Sequence, residues 1–216
     1  MRIIDISMPI SPGMPTYKER IEKRPTHSWA SRMPQDSANE SVYQLNLHTG
    51  THLDAPLHMI EGGKTTQEGL PLERLMVQAK VFDLSHVDDK IGIQESDLAG
   101  LDIKEGDFIL LKTSNSSHPR SGGVDYVSLK ESGAKYLAGK KIIGVGIDAL
   151  GIERDQAGHP THRSLMEKDI IILEGLMLQD AAPGQYLLIA LPLKIEGVEG
   201  APARAVLIEG ASLTKT

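Results

Sequence analysis

Residues His48 to His58 read HTGTHLDAPLH, three histidines and an aspartate within eleven positions, with Gly50 and Pro56 between them. Imidazole nitrogen and carboxylate oxygen are donors that zinc and manganese accept, and a carboxylate has two oxygens with which to bridge a pair of ions. His48 and His52 have the i, i+4 spacing of one helix face, but Thr49, Gly50, Thr51 and Pro56 disfavour a helix. An extended path suits the segment better. Side chains then alternate, so His52, Asp54 and His58 share a direction, while Gly50 lets the backbone bend to bring His48 in. The segment predicts a metal-binding pocket.

A second group lies farther along the chain. Glu174 follows the apolar run 170–173 (IIIL), and a carboxylate at the end of a buried strand needs a cation, a donor or water. His159 and His162 both fall in the stretch 158–165 (GHPTHRSL), and either offers an imidazole. His27, His86 and His118 have no comparable neighbours and read as surface residues. The chain has no cysteine, which excludes disulfides, thiolate metal sites and a cysteine nucleophile, so a metal must use histidine and carboxylate.

The bulk composition excludes other classes of partner. Net charge is −6 with no long Lys/Arg run, so a phosphate-neutralising surface for nucleic acid is not expected. The first residues, MRIIDISMPISPG, are apolar for only a short stretch before Asp5 and Pro9. That is neither a signal-peptide core nor a membrane span, and the expectation is a cytoplasmic protein without membrane contact. A length of 216 residues suits one domain, 1–216.

The elements that position these residues follow from periodicity. Arg2 to Ser7 reads as a strand, followed by a Pro-rich loop that ends at Tyr17. The polar stretch 18–39 lacks a steady period and carries the only tryptophan, Trp29, which reads equally as a packed aromatic or as a lining of a substrate pocket. Ser41 to Leu47 alternates as a strand that delivers His48. Leu70 to Val77, Ile93 to Gly100, Ser128 to Leu137 and Thr161 to Lys168 read as short helices, the third on the surface. Strands are expected at Ala79 to Leu84, Asp107 to Lys112, Lys141 to Asp148, Asp169 to Leu173, Tyr186 to Leu193 and Ala203 to Ile208. Helices fall between strands without strict βαβ repetition, which predicts an α+β domain on a mixed sheet.

All seven fixed positions of the pattern HxGTHxDxPxH are present in 48–58. On these residues the chain resembles the cyclase family, which includes bacterial kynurenine formamidases and isatin hydrolases. The resemblance implies a swivelling β/β/α fold. It also implies two divalent ions per subunit, zinc or manganese, one held by His48, His52 and Asp54 and one by Asp54, His162 and Glu174. The second assignment rests on the family pattern H-x-x-L, a polar stretch, an apolar run and Glu, which His162-Arg163-Ser164-Leu165 and Glu174 reproduce; His159 lies outside it. His58 is left as the general acid/base, and an imidazole with an unperturbed pKa of about 6.5 suits that role.

The reaction implied is hydrolysis of a small-molecule amide, N-formylkynurenine giving formate and kynurenine. Isatin or another cyclic amide or ester is the alternative substrate, and a non-catalytic metal- or ligand-binding protein of the same fold is the alternative class. Where the formamidases carry a tryptophan-containing Pro-rich segment, this chain has SPGMPTYKER, and Tyr17 takes the stacking place. Relatives of this kind imply a homodimer or homotetramer.

Overall fold

The computed structural model describes residues 1–117 and 126–213; His118 lies outside the described residues. In chain order the strands are β1 (Arg2–Asp5), β2 (Thr26–Ser31), β3 (Glu40–Gln44), β4 (His52–Asp54), β5 (Met76–Asp83), β6 (Phe108–Lys112), β7 (Gly144–Ile147), β8 (Ile171–Glu174), β9 (Gly184–Pro192) and β10 (Gly200–Glu209). The helices are α1 (Thr66–Gly69), α2 (Glu95–Leu98), α3 (Glu131–Gly139) and α4 (Pro160–Met166).

Strands β5, β6, β7 and β8 run parallel, and β9, β10, β4 and β1 join them antiparallel in the order β1-β10-β4-β8-β7-β6-β5-β9. Because β9 pairs with β10 as well as β5, seven strands close into a barrel and β1 adds beside β10. This is the α+β arrangement on a mixed sheet that the sequence predicts.

Alternation along the strands separates two cores. On β6, Phe108 and Leu110 point into the barrel with Leu53, Leu173, Leu188 and Leu207, whereas Ile109 and Leu111 point to the helical layer with Leu98, Leu137 and Leu165. Each such side chain taken fully from water contributes about 1.5–3 kcal/mol. Strands β6, β7 and β8 are buried on both faces, which is why they appear in the sequence as nearly unbroken apolar runs, whereas β5 alternates.

The structure corrects four local expectations. The stretch 18–39 is not irregular throughout, since Thr26–Ser31 forms β2 and pairs with β3 in a separate two-stranded sheet. Leu70 to Val77 is not a helix: a single 3-10 turn spans Leu72–Arg74, and Met76 and Val77 enter β5, where β9 pairs with them. Tertiary pairing outweighs the weak helical preference of a short segment. Strand β3 stops at Gln44, so His48 is held by a turn rather than delivered by a strand, and Asn46 Oδ1 accepts the His48 N–H at 3.0 Å. Helix α3 is half-sunk, with Gly133, Ala134 and Leu137 buried.

Candidate metal centre

Strand register explains why the candidate ligands meet. Leu53 points into the barrel, so His52 and Asp54 on either side of it face the helical layer. On β8, Leu173 also points into the barrel and Glu174 faces outward, directly opposite His52. Helix α4 lies over this face and presents His162 to it.

The turn carrying His48 is fastened to the end of β8. Gly50 has φ +64° and Gly175 has φ +68°, and a Cβ on Gly175 would collide with the Gly50 carbonyl. Both positions require glycine. Thr51 Oγ1 donates to the Gly175 carbonyl at 2.6 Å, which ties the His48–His52 turn to the residue after Glu174.

Asp54 sits at the centre and turns its two oxygens to different histidines. Oδ1 lies 2.9 Å from His48 Nδ1 and 3.4 Å from His52 Nε2, while Oδ2 lies 3.7 Å from His162 Nε2. Glu174 closes the ring, with Oε2 3.2 Å from His52 Nε2 and Oε1 3.4 Å from His162 Nε2. Outward-facing nitrogens fix the tautomers. His52 Nδ1 is 2.9 Å from the Gly50 carbonyl, which can only accept, so that nitrogen carries the proton and Nε2 turns inward.

Among the described residues, His52 Nε2 and Asp54 Oδ2, both turned into the cluster, are buried without a hydrogen-bond partner. Buried polar atoms are nearly always satisfied, so such a concentration in one place calls for a missing partner. Two carboxylates and three imidazoles are a donor set that fits divalent ions.

The electrostatics agree. Burial pulls the His52 imidazole down, but the Asp54 and Glu174 carboxylates together outweigh it and push it up to about 10. His162 is likewise opposed by burial and lifted to about 10, by Glu153, Glu174 and Asp54. Burial raises both carboxylates, yet the histidines beside them hold Asp54 well below its ordinary range and Glu174 at about 2. The centre thus attracts positive charge, and protons take the place that cations would fill.

His58 behaves differently. Its ring stacks on His48 with centroids 4.1 Å apart and faces His162 at 5.8 Å. Burial lowers its pKa, so it is a neutral imidazole at pH 7, able to take a proton and return it. It lines a cavity of about 100 Å³ together with Tyr17, Leu150, Glu153, His159, His162 and Glu174, among others.

Of the residues singled out from sequence, His48, His52, Asp54, His58, His162, Glu174 and Tyr17 converge here. Trp29 does not. It stands 46% exposed on β2, edge-on to His27 at 5.2 Å and beneath Arg32 at 5.3 Å, away from this cluster. His159 reaches the cavity wall, but its side chain is 54% exposed and points its Nδ1 toward Glu153 at 3.9 Å rather than into the cluster. Sequence reasoning missed Glu153, which is buried against His162, and Glu199, whose Oε1 is 3.4 Å from His48 Nε2. Both come from loops without periodicity, and no local pattern marks them.

Similar proteins match this chain over nearly their whole length. The kynurenine formamidase of Salinibacter ruber is 36% identical over 211 residues, 96% of this chain and 97% of that protein. A solved structure described as a predicted metal-dependent hydrolase from Bacillus stearothermophilus is 47% identical and superposes with a TM-score of 0.85 over 95% of this chain and 97% of that one. Isatin hydrolase A from Labrenzia aggregata, bound to benzyl benzoate, shares the fold at 24% identity, with a TM-score of 0.82 over 95% and 93% of the two chains. Residues 4–154, which contain the whole of the His48–His58 segment, match the family described as "Putative cyclase", and the chain belongs to that family.

Proposed function

We propose that the chain is a divalent-metal-dependent amide hydrolase, an arylformamidase that converts N-formylkynurenine to formate and kynurenine. The observation that carries this reading is the orientation of Asp54, whose Oδ1 faces His48 and His52 while Oδ2 faces His162. That disposition suits a carboxylate that would be shared by two ions. His48, His52 and Asp54 would hold one, and Asp54, His162 and Glu174 the other, with zinc or manganese as the ions. Ions bound there supply Lewis acidity, which brings the pKa of water toward about 7 and polarises a carbonyl oxygen.

The chain's own residues supply the rest. Water oxygen bonds to the formyl carbon, the carbon–nitrogen bond breaks, and the amine nitrogen must gain a proton as it leaves. His58 is placed to carry that proton: neutral at pH 7, an imidazole nitrogen accepts it from water and returns it to the departing nitrogen. Formate leaves ionised, releasing the second water proton to solvent. Tyr17 on the cavity wall offers a ring to the aryl group. The kynurenine formamidase from Salinibacter ruber, similar along its full length, supports the choice of substrate.

The test is to strip the protein with chelator, restore zinc or manganese, and assay N-formylkynurenine, simple aryl formamides and isatin side by side. Metal-dependent release of formate from N-formylkynurenine is the expected result. Preference for isatin would change the substrate while leaving the reaction class. Metal uptake without turnover of any of them would make this a binding protein.

A further inference from the structure

His162 has one nitrogen in the cluster and one outside it, and the outer one meets a carboxylate. Glu153 Oε2 accepts from His162 Nδ1 at 2.6 Å and from the His162 backbone N–H at 3.1 Å. Its Oε1 accepts the Thr161 N–H at 3.4 Å, so one side chain grips both the ring of His162 and the start of α4 that carries it. Glu153 is only 3% exposed. Its own backbone is pinned by the Tyr126 hydroxyl, which donates to the Glu153 carbonyl at 3.2 Å.

We infer that Glu153 is the positioning residue that makes His162 a metal ligand. An ionised carboxylate only accepts hydrogen bonds, so the proton of a neutral His162 sits on Nδ1 and the Nε2 lone pair turns toward Asp54 and Glu174. Without that acceptor the ring is free to rotate about its side-chain bonds or to carry its proton on Nε2, where it would present a donor to the centre. The two positions are held differently. His52 leans on a neutral acceptor, the Gly50 carbonyl, whereas His162 leans on a charge, which raises the basicity of the ligand. The second position therefore depends on Glu153 and the first does not. This inference rests on reading the cluster as a two-ion centre.

Chelated wild type, Glu153→Ala and Glu153→Gln proteins are titrated with Co²⁺, following visible absorption for stoichiometry and affinity. Circular dichroism monitors folding, and ¹⁵N shifts report the His162 ring. Wild type is expected to bind two equivalents, with the His162 proton on Nδ1 in the Zn²⁺-loaded protein. In Glu153→Ala one equivalent keeps its affinity and the other weakens about 10–100-fold, the usual effect of losing such a partner. Glu153→Gln falls between, because its amide oxygen still accepts the ring proton but carries no charge; if the alanine variant does not fold, this variant decides. Two equivalents of wild-type affinity in a folded variant overturn the role of Glu153, and so does equal weakening of both, which marks general loosening. A wild-type protein that takes up no Co²⁺ overturns the two-ion centre and this inference with it, a failure visible before any variant is made.

Discussion

Two carboxylates stand at the carboxyl ends of neighbouring parallel strands and meet opposite fates. Asp148 follows β7 and is buried, and four donors converge on it: Thr113 N–H at 2.8 Å, Thr113 Oγ1 at 2.7 Å, Ser116 N–H at 3.1 Å and Ser116 Oγ at 2.5 Å. The donors are themselves satisfied. Asn115 N–H bonds to Thr113 Oγ1, and Leu178 N–H bonds to Ser116 Oγ. Glu174 ends β8 one strand away and receives one backbone N–H, from Ile152; otherwise it faces His52 and His162, whose protons are exchangeable for a cation. Strand ends of a parallel sheet are where ligands gather, but position alone does not make a site. A carboxylate surrounded by hydroxyl and amide donors closes a loop, whereas one surrounded by imidazoles and a second carboxylate stays open to an ion.

The comparison breaks most visibly at Asp54, which belongs to the open cluster. Asp54→Asn removes the charge that both sets of histidines share. Loss of Lewis-acid stabilisation worth several kcal/mol, at about 1.36 kcal/mol per factor of ten, predicts an activity loss on the order of 10³–10⁵-fold with loss of bound metal. Metal analysis after dialysis, beside the formamidase assay, checks it; a variant that keeps both ions would remove Asp54 from the centre. On its proposed proton-transfer role, His58→Ala should cost about 10²–10⁴-fold in activity while the ions stay bound. Should the metal leave with the ring, His58 is a ligand, an arrangement open to it because donor atoms of His48, Asp54 and His58 lie within 4.8 Å of one another.

Asp148→Asn should show the reverse pattern. An amide has one acceptor oxygen for four donors and turns two N–H groups toward them, so unsatisfied buried groups should cost about 1–3 kcal/mol. Chemical denaturation measures that loss, and specific activity per folded molecule should stay within about twofold of wild type. Activity falling in step with the Asp54 variant would mean that the two clusters are one.

How much of this was readable beforehand divides along the same line. The open cluster announces itself because HTGTHLDAPLH concentrates ligand-type side chains where glycine and proline disfavour an α-helix, leaving only a 3-10 turn at Pro56–His58, and Glu174 breaks an apolar run. Strands β6, β7 and β8 were legible because they are apolar on both faces. The closed cluster was not, since Thr113, Ser116 and Asp148 are ordinary polar residues far apart in sequence, and only the β6–β7 pairing brings them together. Glu153 escaped likewise, its partner lying nine positions on across a loop. Strand β2 was hidden by its exposure: five of its six residues are exposed, so no burial pattern imprints a period on the sequence.

The smallest expected effect concerns the two aromatics that the sequence left as pocket candidates, and it separates cavity wall from surface. Tyr17 lines the cavity with His58 and Glu174, and the Arg154 guanidinium lies 5.4 Å from the centre of its ring, helping to set its plane. An aryl group stacked there gains about 0.5–1.5 kcal/mol from the ring pair, so Tyr17→Ala should raise KM about 2–12-fold with kcat little changed. Tyr17→Phe keeps the ring and should stay within about twofold. Trp29 packs against His27 and Arg32 on the exposed sheet, so Trp29→Ala should leave KM unaltered. Steady-state kinetics on N-formylkynurenine and on formamides without an aryl group make the comparison sharper, because only the aryl substrate should register the loss of Tyr17. A Trp29→Ala variant with the larger rise in KM would reverse the assignment and bring the β2–β3 sheet into the substrate's path.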